Sequence, residues 1–233
     1  MQSGEKTSGD KMAQSQKSVF LYALIVTIVI FGLGIVSGIL LENSRINKMD
    51  DLYTKSETQL LDLKLVNLIY SQGFYDCEFA EQENIKFADN IYEEAETLEK
   101  YESASRLDSE SLQTIHKKYD ILRAMLFVNS LEIKENCDSS YNAIVYFYKY
   151  NNEDLEIKSK QEVFSNLLFE LKEQEGNNLL LIPIAGDTNI SSVQILMNKY
   201  EIKESDLPLI LINEKDKITE LQNIEELSRY LNK

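Results

Sequence analysis

The sequence predicts an α+β protein on a single transmembrane helix. Three observations predict it: an uncharged apolar run near the start, a long proline-free region of helical periodicity, and a final alternation of strand-like and helix-like runs. Ser18–Leu41 holds no charged residue. At about 1.5 Å per residue this is roughly 36 Å of helix, enough to cross a bilayer core with some tilt. Residues 39–140 contain no proline and a single glycine, Gly73. From Tyr141 onward, β-branched and aromatic runs alternate with amphipathic ones.

Residues 1–17 are rich in Ser, Gly, Gln and Lys with hardly a large apolar residue, which predicts a disordered tail. The run 18–41 is read as a retained transmembrane helix whose partner is the lipid bilayer. A cleaved signal peptide would have an apolar core of only about 7–15 residues and a small-residue cleavage site. Gly34 and Gly38 have the spacing that lets two membrane helices approach closely, one route to a homo-oligomer. Lys6, Lys11 and Lys17 on one flank nearly balance Arg45, Lys48 and Lys55 on the other, so charge alone does not orient the span.

Residues 42–138 are expected to form a helical stalk, a three-helix bundle of coiled-coil character. Met49, Leu52, Leu60, Leu63, Val66, Ile69 and Tyr70 recur at threes and fours until Gly73. Ile85, Ala88, Ile91, Ala95 and Leu98 repeat the pattern between Glu78 and about Ser103. A third helix starts after Asp108, a plausible N-cap, and carries Leu112, Ile115, Tyr119, Leu122, Leu126 and Ile133. The short turn at 104–108 makes the second and third helices antiparallel neighbours.

Residues 141–233 form the last domain. Ala143–Tyr148 reads as a buried strand, Ile157–Gln174 as a helix ended by Gly176, Leu179–Ile184 as a second strand, and Ile190–Tyr200 as a second helix. Pro208 stands before the apolar run Leu209–Ile212. Asn213–Lys217 then turns the chain into a short strand Ile218–Leu221, and a helix follows through Ile224, Leu227 and Leu231. The order β-α-β-α-β-β-α implies one parallel pair, a closing hairpin and helices on both faces of a four-stranded mixed sheet.

That order, with Leu207-Pro208 at the head of the third strand, resembles the thioredoxin fold over residues 141–233. The whole layout is similar to archaeal membrane-anchored proteins with a helical stalk and a terminal thioredoxin-like domain. The resemblance implies a cis peptide bond at Leu207-Pro208 and a groove between that corner and Asn151, Asn152, Glu153 and Asp154. Such a groove would take an extended peptide. It also implies where a redox C-x-x-C would stand, directly after the first strand, and there the chain has Tyr150–Leu155 without a cysteine. Disulfide exchange needs an attacking thiolate and a resolving thiol, so a domain of this kind is redox-inactive.

The chain's two cysteines lie elsewhere. Going out along the first stalk helix, back along the second and out along the third brings Cys77 and Cys137 to one end of the bundle. A structural disulfide is the expected state, with buried free thiols as the alternative. A disulfide implies an oxidising compartment, placing the N-terminus in the cytoplasm and the later domains outside. Two cysteines without an adjacent histidine do not complete a zinc site, His116 being over four turns from Cys137, and no metal or cofactor is expected. Glu93, Glu94, Glu96 and Glu99 are read as a solvated acidic face. Tyr146, Phe147, Tyr148 and Tyr150 are read as core and rim of the first strand, and Asn189 as a helix N-cap rather than a glycosylation site. The net charge of −15 argues against nucleic acid.

The expected function is therefore non-enzymatic: a membrane-anchored, outward-facing binding or scaffolding protein with a peptide or protein partner. Two alternatives stand beside it, an oxidoreductase using Cys77 and Cys137, and a structural cell-envelope component acting through its stalk.

Overall fold

The computed structural model describes residues 8–73, 76–103, 109–137, 141–150 and 152–231. The chain divides into two compact units, Met1–Thr54 and Lys55–Lys233. Helix α1 is Ser8–Ser71. Ser8–Lys17, expected as a disordered tail, are its first turns. The physical reason is local. Lys11, Met12, Ala13 and Gln14 are good helix formers, and no proline stops a helix that gains a bond with each residue added. Within α1, Val19–Leu41 is long and apolar enough to cross a membrane, and its large apolar side chains all face outward. The helix stops as expected near Gly73, which adopts φ 84° and returns its N–H to Tyr70 O at 2.8 Å.

In the second unit, α2 (Cys77–Ser103) matches the expected span to within one residue. Asp76 caps it by accepting Phe79 N–H at 3.1 Å. Its buried face is Ala80, Asn84, Phe87, Ile91 and Glu94. The expected face of Ile85, Ala88 and Ala95 lies beside that seam, half-buried, because two polar residues belong to the seam itself. Glu94, expected in solvent, is buried with Lys55 Nζ at 2.9 Å, Gln59 Nε2 at 3.4 Å and Tyr119 Oη at 3.3 Å. Of the pattern on α1, Val66 and Tyr70 are half-buried and Ile69 is exposed. The side chains of Met49, Leu52, Leu60, Leu63, Leu98, Glu99 and Leu112, and all of Asp108, lie outside the described residues.

Helix α3 (Ser109–Asn136) is buried round most of its girth, through Tyr119, Leu122, Ala124, Leu126, Phe127, Ser130 and Ile133. It has neighbours on more than one side: α2, then the strands β1 (Asn142–Tyr148) and β2 (Leu179–Ala185), and helix α5 (Ser191–Lys199). Lys55–Lys233 is one compact unit.

The sheet has order β2-β1-β3-β4, with β1 parallel to β2 and antiparallel to β3 (Leu209–Ile212), which pairs antiparallel with β4 (Asp216–Ile218). On one face Ile144, Tyr146, Ile210 and Ile212 join Phe164, Leu168 and Leu171 of α4 (Leu155–Glu175) and Leu227 and Leu231 of α6 (Ile224–Leu231). The alternate residues Val145, Phe147, Ile182, Leu209 and Leu211 point the other way and are equally buried. On that side lie α3 and α5 (Ser191–Lys199), where the Phe127 and Tyr200 rings stand 5.9 Å apart. Val163, next to Phe164 on α4, is exposed.

The closing hairpin is tighter than expected. Asn213 and Glu214 take positive φ, so β4 is Asp216–Ile218 and Thr219–Leu221 follow the strand. Asparagine tolerates that conformation. Here its amide also accepts from Ala143 N at 3.0 Å and from Lys134 Nζ at 2.9 Å, tying the turn to β1 and α3.

Candidate functional site

Cys77 and Cys137 form a disulfide with Cα atoms 5.7 Å apart, across a sequence separation of 60. Cys77 opens α2 and Cys137 directly follows α3, as antiparallel packing of those helices requires. No free cysteine remains.

The end of β1 lies beside the head of β3, because Phe147 pairs with Leu209. The Leu207-Pro208 bond is cis. Both residues are buried, and Leu207 Cδ1 presses on Gly186, where an added Cβ would come within 2.7 Å of it. The loop after β1 stands at the same end of the sheet. Asn151 lies outside the described residues, Asn152 is half-buried, and Glu153 and Asp154 are exposed. The Asp154 side chain caps α4, accepting Glu156 N–H at 2.8 Å, while Asn152 Oδ1 accepts from Asp154 N at 3.3 Å. Asn189 is not a helix cap. Ile190 occupies that position without a side-chain bond, and Asn189 is exposed. Asp187 and Thr188 hold the loop instead, through Tyr150 N to Asp187 Oδ1 at 2.8 Å and Thr188 Oγ1 to Ala185 O at 3.0 Å.

A cavity of about 500 Å³ opens against β1 and β2, between α2 and α3 on one side and α4 on the other. Tyr146, Tyr148 and Tyr150 of the β1 segment line it together with Tyr92, His116, Tyr119 and Arg123. The His116 ring stands 4.1 Å from that of Tyr150. Behind Arg123 lies Asp120, whose Oδ1 accepts the Ala185 N–H at 3.1 Å and whose Oδ2 is buried without a hydrogen-bond partner. Burial pushes the Asp120 carboxyl up to about 6, against the opposing pull of Arg123 and the Ala185 N–H. Burial also pushes the Tyr148 phenol up to about 12, and Arg123 beside it moderates the rise. Tyr146 is raised by burial too, and donates to Gln161 O at 3.2 Å.

The outer edge of β2 is closed at three points. Lys172 Nζ donates to Leu179 O at 2.7 Å, Asp120 accepts from Ala185, and Pro183 between them has no N–H. A proline in mid-strand is tolerated where its nitrogen faces the free edge. Neither another strand nor an extended peptide finds a full ladder there.

Reading the apolar pattern alone misses this cavity. Asp120 and Arg123 stand a turn apart on α3 among apolar neighbours, and nothing local marks them. The tyrosines carry a usable signal, since positions 146, 148 and 150 alternate in the two-residue period of a strand and so share a face. No cluster of His, Cys, Asp or Glu able to hold a metal occurs among the described residues. No family model matches the chain, and neither the curated proteins nor the solved structures yield a match.

Proposed function

We propose that this chain is a single-pass, outward-facing binding module built on a thioredoxin-like domain that carries out no disulfide exchange. The observation that carries this is the Cys77–Cys137 disulfide. Both thiols of the chain are used to join two helix ends, and the end of β1 presents Tyr148, Lys149 and Tyr150 instead of a dithiol. The sheet order β2-β1-β3-β4 supports the thioredoxin-like assignment. The disulfide supports an exterior, oxidising location for the second unit, with Val19–Leu41 as the anchor and the N-terminus in the cytoplasm. The test is alkaline extraction of membranes, followed by thiol labelling and insulin reduction. Full-length protein retained in the pellet, unlabelled without reductant and inert toward insulin supports the reading. A chain cleaved near Leu41, or measurable insulin reduction, overturns it.

A second reading, self-association in the membrane, is favoured by one feature. Leu61, Leu65 and Leu68 form an exposed apolar stripe on α1, spaced by four and three as in a coiled-coil seam.

A further inference from the structure

The cavity beside β2 has the size of a small-molecule site, about 500 Å³. Its walls are mostly flat and aromatic, with Tyr146, Tyr148 and Phe169 facing Tyr92 of α2. One permanent cation projects among them. The Arg123 side chain is only 13 % exposed, and its Nη1 stands 3.8 Å from Asp120 Oδ1, too far for a hydrogen bond. A guanidinium has five N–H donors in a planar fork. Tyr148 engages it from the strand side and Asp120 faces Nη1 as its ion-pair partner. Its guanidinium lines the cavity wall, where an anionic ligand group would meet it directly. A carboxylate matches the fork in two parallel bonds, and aromatic walls suit an apolar body. A cationic ligand meets repulsion from Arg123. A doubly charged phosphate meets Asp120 behind it and Glu96 at the lining. An extended strand is refused by the closed edge of β2.

We propose that this cavity binds a small ligand, or a chain end, that joins an aromatic or large apolar group to a single carboxylate. Arg123 holds the carboxylate and the tyrosines hold the body. This deepens the binding-module reading and rests on it.

The test uses full-length protein in lipid nanodiscs at pH 7.5, with empty nanodiscs as the blank and calorimetry or ligand-observed NMR as the readout. The probes are phenylacetate and an acetylated dipeptide ending in phenylalanine, each beside its carboxamide, with choline as a cationic probe. At least one acid should bind about tenfold or more tightly than its amide, the difference expected for losing a charge-assisted pair. The tighter acid tells a free metabolite from a polypeptide C-terminus. Arg123→Gln should remove the preference for the acid. Ala95→Phe, which fills the cavity from α2, should abolish binding while leaving Arg123 in place. Because the acid–amide comparison uses the wild-type protein, a variant that misfolds does not rescue the proposal. Equal binding of acid and amide, preferential binding of choline, or no saturable binding of either acid overturns it. Insulin reduction on the same preparation separates the two failures: an active preparation sinks the binding-module reading, and an inert one that binds nothing sinks only the ligand class.

Discussion

Asp120 of α3 accepts the backbone N–H of Ala185 in β2 at 3.1 Å, so a stalk helix supplies the last hydrogen bond of the sheet's edge. The bond is made inside the protein, by a carboxyl whose other oxygen is buried without a partner. This geometry costs stability at neutral pH. In the unfolded chain Asp120 titrates near 3.8, and in the folded chain near 6. Between those values the folded state holds the extra proton, so the contribution of the neutral carboxyl is complete below 3.8 and lost as pH rises through about 6. Asp120→Asn keeps an acceptor for Ala185 and removes the charge. It should raise stability by about 2 kcal/mol at pH 7.5, with the gain vanishing near pH 4. Urea unfolding at the two pH values checks this, and a gain that does not depend on pH would refute it.

Gly186 is required by its neighbours rather than by its backbone. An added Cβ would stand 2.7 Å from Leu207 Cδ1 and 3.0 Å from Met197 Sδ, and both side chains are buried with little room to withdraw. Gly186→Ala should destabilise by about 1–3 kcal/mol through overpacking. Adding Leu207→Ala should recover part of that loss, and a double-mutant cycle measures the coupling. Additive effects would mean that the clash is relieved elsewhere.

The element order was legible in the sequence because each run of residues 141–231 carries its own period and stop signal. Gly176 ends α4 and Pro208 precedes β3, both at the expected positions. The disulfide was legible for a different reason, since antiparallel helices of matched length bring their ends together. The joining of stalk and sheet was not legible. It rests on Asp120, Lys134 and Asn213, single polar residues whose partners lie 65 to 79 positions away. Glu94 shows the same limit. A charge in an acidic run reads as solvated, yet Lys55 and Tyr119 come from two other helices to bury it. The cavity escaped for both reasons, as its tyrosines share a strand face while its arginine is long-range.

The stripe on α1 predicts association between copies. Leu61, Leu65 and Leu68 are 64%, 54% and 60% exposed, enough apolar surface to favour pairing once two anchors share a bilayer. Leu65→Glu places like charges opposite each other in such a pair. It should abolish crosslinking in membranes while leaving the unfolding midpoint unchanged, because Leu65 is exposed in the monomer. Crosslinking that persists in this variant, and disappears instead with Gly34→Leu, would assign association to the membrane span.

The disulfide connects the stability of the stalk to the cavity. It closes a loop with a separation of 60 between the start of α2 and the end of α3. In the chain-entropy model that constraint stabilises by roughly 4 kcal/mol, an upper figure because residual unfolded structure reduces it. Replacing Cys77 and Cys137 by Ser should therefore lower stability by a few kcal/mol at most. Were stalk and sheet separate domains, ligand binding would be indifferent to the change wherever the fold survived. They are one unit, and α2 and α3 carry Tyr92, His116, Tyr119 and Arg123 of the cavity. Releasing the helix ends should loosen these walls, and binding of an aromatic carboxylate should weaken under conditions where the circular dichroism is still native. An oxidoreductase that used this pair would behave otherwise. It would show a labelled thiol or a mixed disulfide in the wild type, and its activity would vanish with Cys77→Ser alone. Measuring ligand affinity and thiol labelling on the same two proteins therefore separates a structural bond from a chemical one.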